Sequence, residues 1–254
     1  MKNLFDLAGK KAIVIGGAGG IGQAISAGLA FYGADVSIAS RNQDSLERAQ
    51  KEIQEEVGKQ VHFYQVDVSK EESVKTLVEK FLNDNGRVDI LVNSQGFNSK
   101  FPATEFPMDV WDDLFNVNVK GVMICCKFFG AHMKKQGSGH ILNVSSVRGI
   151  RGCGGGNTGY GATKGAVDMM TRMLSVELGP EVNVNAIGPT VTETPMMKKI
   201  LTPELAKMLT GNSPINRLGL VEDCIGPAVF LCSDASAFVT GQIIYPDGGL
   251  TAIG

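Results

Sequence analysis

Two rhythms of apolar positions alternate along this chain. Short runs rich in Val, Ile and Ala read as strands at 11–15, 35–39, 61–66, 89–93, 140–144, 182–187 and 242–245. Between them, apolar residues three and four apart read as helices at 21–32, 43–57, 71–82, 109–135, 160–178 and 221–233. Strands alternating with helices imply right-handed βαβ units, a parallel sheet and helices on both of its faces. The alternation has no composition break, linker or repeat, so the expectation is a single doubly wound α/β domain over 1–254 with seven strands. Residues 190–217 depart from it: the segment is long and carries prolines at 195, 203 and 214. A long loop late in a compact α/β domain reads as a substrate loop or lid.

Composition removes several partners. The net charge is −2, which gives no electrostatic reason to expect nucleic acid or an anionic membrane. No apolar run approaches the roughly 20 residues of a membrane span, and the first eleven residues lack the pattern of a secretory signal. The five cysteines, Cys125, Cys126, Cys153, Cys224 and Cys232, form no C-x-x-C pair and no metal-ligand spacing with the three histidines. The expectation is a cytoplasmic protein with no bound metal.

Many of the 32 glycines fall at the ends of predicted strands. Gly16-Gly17-Ala18-Gly19-Gly20-Ile21-Gly22 lies between the first strand and the first helix. Glycines there let a pyrophosphate approach backbone N–H groups at a helix start, where the helix dipole favours an anion. A Rossmann-type nucleotide site follows, with Gly16, Gly20, Ile21 and Gly22 as its candidate contacts. The second strand ends in Ala39-Ser40-Arg41-Asn42. A carboxylate at this point would accept from the ribose 2′-hydroxyl and repel a 2′-phosphate. None is present, while Ser40 can donate to a phosphate and Arg41 can pair with it. NADP(H) is therefore favoured, with NAD(H) the alternative; the bland reading of Arg41 is a solvated loop residue.

Tyr160 and Lys164 stand four residues apart on one face of a predicted helix. Such a pair arises easily by chance, but its chemistry is specific. A phenol with a pKa near 10 is a poor base, and a neighbouring ammonium stabilises its phenolate. Bringing it close to 7 requires about 3 units, on the order of 4 kcal/mol. Fourteen residues before Tyr160, Ser146 follows the strand at 140–144, where a serine can reach a reacting oxygen. Asn118, in the helix before that strand, is either a satisfied structural group or a water anchor.

Taken in order, Gly16–Gly22, Asn93-Ser94-Gln95-Gly96, Asn116-Val117-Asn118, Asn143-Val144-Ser145-Ser146, Tyr160–Lys164, Pro189–Thr194 and Asp247-Gly248-Gly249 resemble the short-chain dehydrogenase/reductase family from residue 6 to 250. The resemblance implies the sheet order 3-2-1-4-5-6-7 and a catalytic tetrad. In it, Asn118 holds a relay water, Ser146 polarises the carbonyl and Tyr160 is the acid/base. Lys164 lowers the tyrosine pKa and binds the nicotinamide ribose. The resemblance also implies cofactor contacts from Asp67, Val68, Asn93, Gly96, Pro189 and Thr194, and a homo-oligomer, usually a tetramer. Four departures stand out: Ile15 for the usual Thr, Ser94-Gln95 for Asn-Ala, Thr190 for Gly, and shifts of one residue before Tyr160 and near Glu181. None removes a catalytic group.

The implied function is reversible hydride transfer between NAD(P)(H) and a secondary alcohol or ketone. Within the family the chain looks most like the sugar-acid and polyol dehydrogenases of the gluconate 5-dehydrogenase kind, with 3-oxoacyl-carrier-protein reductase as runner-up. A non-catalytic nucleotide-binding protein is the alternative from another class. Arg148 and Arg151 follow Ser146 closely and are candidate anchors for an anionic substrate, beside Ser146 itself. Lys198 and Lys199 could add positive charge from the loop, and Met196, Met197, Ile200 and Leu201 could equally make it an apolar lid.

Overall fold

The computed structural model describes residues 2–193, 202–210 and 213–253. The first half of the chain runs β1 (Lys11–Ile15), α1 (Gly20–Phe31), β2 (Asp35–Ser40), α2 (Gln43–Val57), β3 (His62–Gln65), α3 (Glu71–Asn85), β4 (Ile90–Asn93), α4 (Met108–Phe115) and α5 (Gly121–Gln136). The second half runs β5 (Gly139–Val144), α6 (Thr158–Glu177), β6 (Val182–Ile187), β7 (Thr192–Glu193), α7 (Pro203–Thr210), β8 (Gly219–Leu220), α8 (Ile225–Leu231) and β9 (Ile243–Ile244).

The apolar strand residues divide between two cores because successive side chains on a strand point to opposite faces. In β1, Ala12 and Val14 enter one cluster and Ile13 and Ile15 the other. Val36, Ile38, Ile90 and Val92 join the first; Ala39 and Leu91 join the second. Helices α1, α2 and α8 close the first face through Ile25, Leu29, Leu46, Ile53 and Val229. Helices α3, α5 and α6 close the second through Val74, Phe81, Phe129 and Leu174. Seven strands form one parallel sheet in the order β3-β2-β1-β4-β5-β6-β9, the order that the family resemblance implied.

This topology places the crevice. The strand order reverses between β1 and β4, the switch point where open α/β sheets bind ligands beyond their C-terminal strand ends. Ile15 pairs with Asn93, Asn93 with Asn143, and Val144 with Ile187. Gly16, Ser94, Ser145 and Gly188 therefore leave the sheet along one edge.

The structure departs from the sequence reading in three places. The predicted helix at 109–135 is interrupted at Asn116–Lys120, where the turn widens to a π-helical one; such turns concentrate at functional sites. The predicted helix at 221–233 starts as a 3-10 turn at Val221–Cys224 before α8. The segment 190–217 contains β7, which pairs with β8 in a separate two-stranded sheet, and α7, which opens on Pro203. Pairs of two-residue strands are too short to show a period. The helical stretch Met108–Gln136 is long and apolar enough to cross a membrane by length and composition. In the fold one face of it is buried, with Ile124, Cys125, Phe129 and Met133 packed into the second core.

Candidate active site

The glycine turn after β1 is built so that backbone can come close to backbone. Gly16 has a φ of 80°, and a Cβ there would lie 2.6 Å from the Gln95 backbone nitrogen. At Gly22 it would lie 2.3 Å from the Gly16 carbonyl oxygen. A side chain at Gly16 would push the turn off the segment that follows β4, and one at Gly22 would strike the turn itself. Helix α1 then starts with no side-chain cap and no acidic residue in its first turn. Its first amides are left for an anion, which fits a pyrophosphate at this point.

Two adjoining cavities run along the crevice. The larger, about 490 Å³, is lined by Ile21, Gly22, Gly96, Ser146, Tyr160, Lys164 and Pro189 among others. The second, about 310 Å³, is lined by Gly16, Ser40, Arg41, Val68 and Gln95 among others. Asn42 caps α2 by accepting from Ser45 N at 2.8 Å, which fixes the turn carrying Arg41 at the mouth of the second cavity. The Arg41 guanidinium makes no hydrogen bond or ion pair among the described residues. Together the cavities, which run from Arg41 to Tyr160, have the extent an extended dinucleotide needs.

Three of the four predicted catalytic residues, Ser146, Tyr160 and Lys164, line the larger cavity, and the fourth, Asn118, is buried behind it. Ser146 follows β5; its hydroxyl accepts from Arg148 N at 3.2 Å and reaches the Tyr160 phenol. Lys164, fully enclosed on α6, donates to the Val144 carbonyl at 2.8 Å, with its Nζ 5.6 Å from the centre of the Tyr160 ring. Burial pushes the Tyr160 pKa up, while the Ser146 hydrogen bond and the Arg148 charge pull it down. Burial also pushes Lys164 down to about 8, opposed by the charge of Asp168. Asn118 lies in the π turn with its amide fully buried. It donates to Phe97 O at 2.9 Å and to Thr163 Oγ1 at 3.2 Å, and accepts from Phe97 N at 3.0 Å. The amide thus clamps the strand-end segment carrying Gly96, where a Cβ would lie 3.1 Å from Asn118 Oδ1 and 3.7 Å from Lys164 Nζ.

Some of the other expected contact residues are engaged within the protein. The Asn93 side chain turns into the sheet, donating to Asn143 Oδ1 at 2.9 Å, and Asn143 donates on to Thr171. It ties β4 to β5 instead of facing the cofactor cleft, because the β4 pleat directs it into the protein. The Asp67 carboxylate accepts from Ser69 N and Ser69 Oγ, which hold its pKa down, and lies 3.4 Å from Lys70. Its neighbours Val66 and Val68 line the second cavity. The Arg151 guanidinium is bonded to the Leu250 carbonyl, so it pins the C-terminal segment and is withdrawn as a substrate anchor. Arg148 makes no such bond, and its charge acts on Tyr160. Thr194, Lys198, Lys199 and the apolar residues 196, 197, 200 and 201 lie outside the described residues.

Asp168 is the site neighbour that the sequence reading missed. It lies one turn beyond Lys164 on α6, buried, accepting from Tyr245 OH at 3.2 Å, and burial raises its pKa. The signal was available: Lys164 and Asp168 repeat the four-residue spacing of Tyr160 and Lys164. Among the described residues no group of three His, Cys, Asp or Glu comes together to hold a metal.

A doubly wound parallel sheet, a phosphate-binding turn at its switch point and a Ser-Tyr-Lys group beside that turn define a nucleotide-dependent oxidoreductase. Residues 16–251 match the family model described as enoyl-(acyl carrier protein) reductase. The chain is 36% identical over 251 residues to a gluconate 5-dehydrogenase of Gluconobacter oxydans, covering 98% of this chain and 97% of the relative. It is 38% identical over 246 residues to a 3-oxoacyl-acyl-carrier-protein reductase of Thermotoga maritima, covering 96% and 98%. A crystal structure of a gluconate 5-dehydrogenase from Burkholderia cenocepacia, in complex with NADP and tartrate, superposes with a TM-score of 0.92 at 32% identity, covering 98% of each chain. The chain belongs to the short-chain dehydrogenase/reductase family and is an NAD(P)-dependent alcohol dehydrogenase/ketoreductase.

Proposed function

We propose that the protein interconverts a secondary alcohol and a ketone on a sugar acid or polyol, with NADP(H) as the preferred cofactor. The observation that carries the chemistry is the convergence of Ser146, Tyr160 and Lys164 on the cavity that also meets the glycine turn. In oxidation the Tyr160 phenolate takes the hydroxyl proton, Ser146 donates to the substrate oxygen, and the carbinol C–H leaves as hydride. In reduction Tyr160 returns the proton to the carbonyl oxygen. Taking up the hydride in oxidation and giving it in reduction is the chemistry that nicotinamide would supply when bound. Lys164 adds positive charge that favours the phenolate and holds the nicotinamide ribose. Asn118 keeps the Phe97 backbone and Gly96 in register with that ribose; its amide is spent on that clamp and not on a relay water. Gly16, Gly20, Ile21 and Gly22 receive the pyrophosphate, Val68 the adenine, Pro189 and Thr194 the nicotinamide. The whole chain serves as one dinucleotide-binding and catalytic domain, with 190–217 as its substrate loop, in the cytoplasm.

The sugar-acid reading is supported by the similarity to gluconate 5-dehydrogenases and by the polar lining that Ser94, Asn98, Ser146, Thr190 and Thr192 give the larger cavity. Cofactor-coupled absorbance with sugar acids, polyols and 3-oxoacyl thioesters tests it. Turnover of thioesters alone would transfer the assignment to acyl-carrier-protein reduction, and no turnover of any member would favour a non-catalytic binding protein. Arg148 is the remaining candidate anchor for a carboxylate. Arg148→Ala is expected to raise KM for gluconate-like acids about 10-fold or more while leaving neutral polyols of equal length little changed. Equal changes for both classes would show that the arginine does not grip the acid.

Arg41 and Ser40 support the cofactor preference. Arg41→Ala is expected to lower kcat/KM for NADPH relative to NADH by about 10- to 100-fold, the loss of a charge-assisted contact to the 2′-phosphate. A wild-type enzyme that already prefers NAD(H) would overturn this assignment. A homo-oligomer, a tetramer by family resemblance, is supported by Met169, Met173 and Val176, which form an exposed apolar stripe on α6. Light scattering on the wild type reads it directly.

A further inference from the structure

Gln95 stands where the family usually has alanine, at the wall shared by both cavities. It is only 9% exposed, and among the described residues neither its Oε1 nor its Nε2 has a hydrogen-bond partner. Buried amides are ordinarily satisfied, and one that lacks both a donor and an acceptor points to partners beyond the protein. Its place narrows what those partners are. The Gln95 backbone nitrogen closes on Gly16, so the residue flanks the pyrophosphate turn, and the second cavity continues from it to Ser40 and Arg41. A pyrophosphate can satisfy Nε2 but has no proton to give Oε1 at neutral pH. A ribose hydroxyl does both, since it donates and accepts through one oxygen. The nicotinamide ribose is assigned above to Lys164, which lines the larger cavity alone, whereas Gln95 also lines the cavity that leads to Arg41.

We propose that the Gln95 side chain is a cofactor-positioning residue that hydrogen-bonds a ribose hydroxyl of the adenosine half of NAD(P)(H), after a small rotation that brings its amide to the cleft. The contact is common to NADP(H) and NAD(H), because each keeps at least one free hydroxyl on that ribose. Gln95 therefore sets the affinity for the adenosine half, and Arg41 sets the choice between the two cofactors. The proposal rests on the cofactor orientation given above.

The test separates binding from fold. Gln95→Met keeps the length and removes both polar atoms; Gln95→Ala restores the usual family residue. Titration of NADPH, NADH and ADP against each purified protein gives Kd, and thermal melting of the cofactor-free protein gives Tm. The expected result is that Gln95→Met weakens all three ligands by about 10-fold or more, with a Tm equal to or above wild type because an unpaired buried amide has gone. Affinities within about twofold of wild type for both variants would overturn the proposal, whatever the Tm. A weakened affinity accompanied by a Tm several degrees lower in both variants would make Gln95 structural and overturn it too. Weakened NADPH with unchanged ADP would overturn the assignment to the adenosine half. Wild-type protein that binds ADP no better than adenosine-free controls would instead reject the orientation of the cofactor itself.

Discussion

Tyr160→Phe is expected to fold, to bind cofactor as wild type does, and to lose about 10² to 10⁴-fold in kcat. The change removes one oxygen. The ring stays on α6 beside Ser146 and Lys164, so packing and the Lys164 contact to the Val144 carbonyl survive. What goes is the atom that carries the proton to and from the substrate. Burial raises the tyrosine pKa in the free protein, so the cationic groups around it must supply the phenolate. The pH profile of kcat in the oxidation direction should therefore rise with pH toward a limit set by Tyr160, and that limb should be absent in the residual activity of the variant. Near-normal turnover of Tyr160→Phe would remove Tyr160 from the mechanism.

Lys164→Met is expected to lose activity by a comparable factor and to weaken cofactor binding, yet to make the cofactor-free protein more stable. Lys164 is fully enclosed, and burial lowers its pKa from 10.5 to about 8. Below pH 8 the charged lysine costs the folded state free energy. Between pH 8 and 10.5 the unfolded chain binds the extra proton, so this group makes wild-type stability rise with pH. Above 10.5 the lysine is neutral in both states and the cost is gone. Methionine removes that cost, so the variant should gain roughly 1–3 kcal/mol near pH 7, and the gain should shrink as pH rises through this window. Asp168 moderates it, because its buried carboxylate loses a favourable charge when Lys164 goes. Denaturant unfolding at pH 7 and pH 10 measures the effect. A variant that is less stable than wild type at pH 7 would show that the lysine is there for the fold.

The two expectations describe one arrangement: a buried cation that costs the cofactor-free protein stability, beside a buried phenol that carries the proton. The same logic extends to Gln95, whose unpaired amide sits in the same crevice.

The strands and most helices were legible in the sequence because the hydrophobic effect imposes their period directly. Lys11–Ile15, Gln43–Val57 and Val182–Ile187 fall where the pattern placed them. The turn at Gly16–Gly22 and the four-residue step from Tyr160 to Lys164 were also local, since each depends on backbone that the neighbouring residues set. Long-range placement was not. Asn93 is as polar as Ser94 and Gln95 after it, and only the pleat of β4 shows that it bonds Asn143 across the sheet. Arg148 and Arg151 looked alike in a glycine-rich loop until the C-terminal segment came within reach of one of them, 99 residues later in the chain. Asn118 could have held water or protein, and the answer, two bonds to the Phe97 backbone, depends on a π turn that no apolar period announces. The sequence by itself determined the alternation of strands and helices and the kind of chemistry, because both are written in residues close together. The tertiary structure decided which polar side chains are spent on the fold and which remain for ligands, because a hydrogen bond goes to whatever partner the packing brings within 3 Å or so.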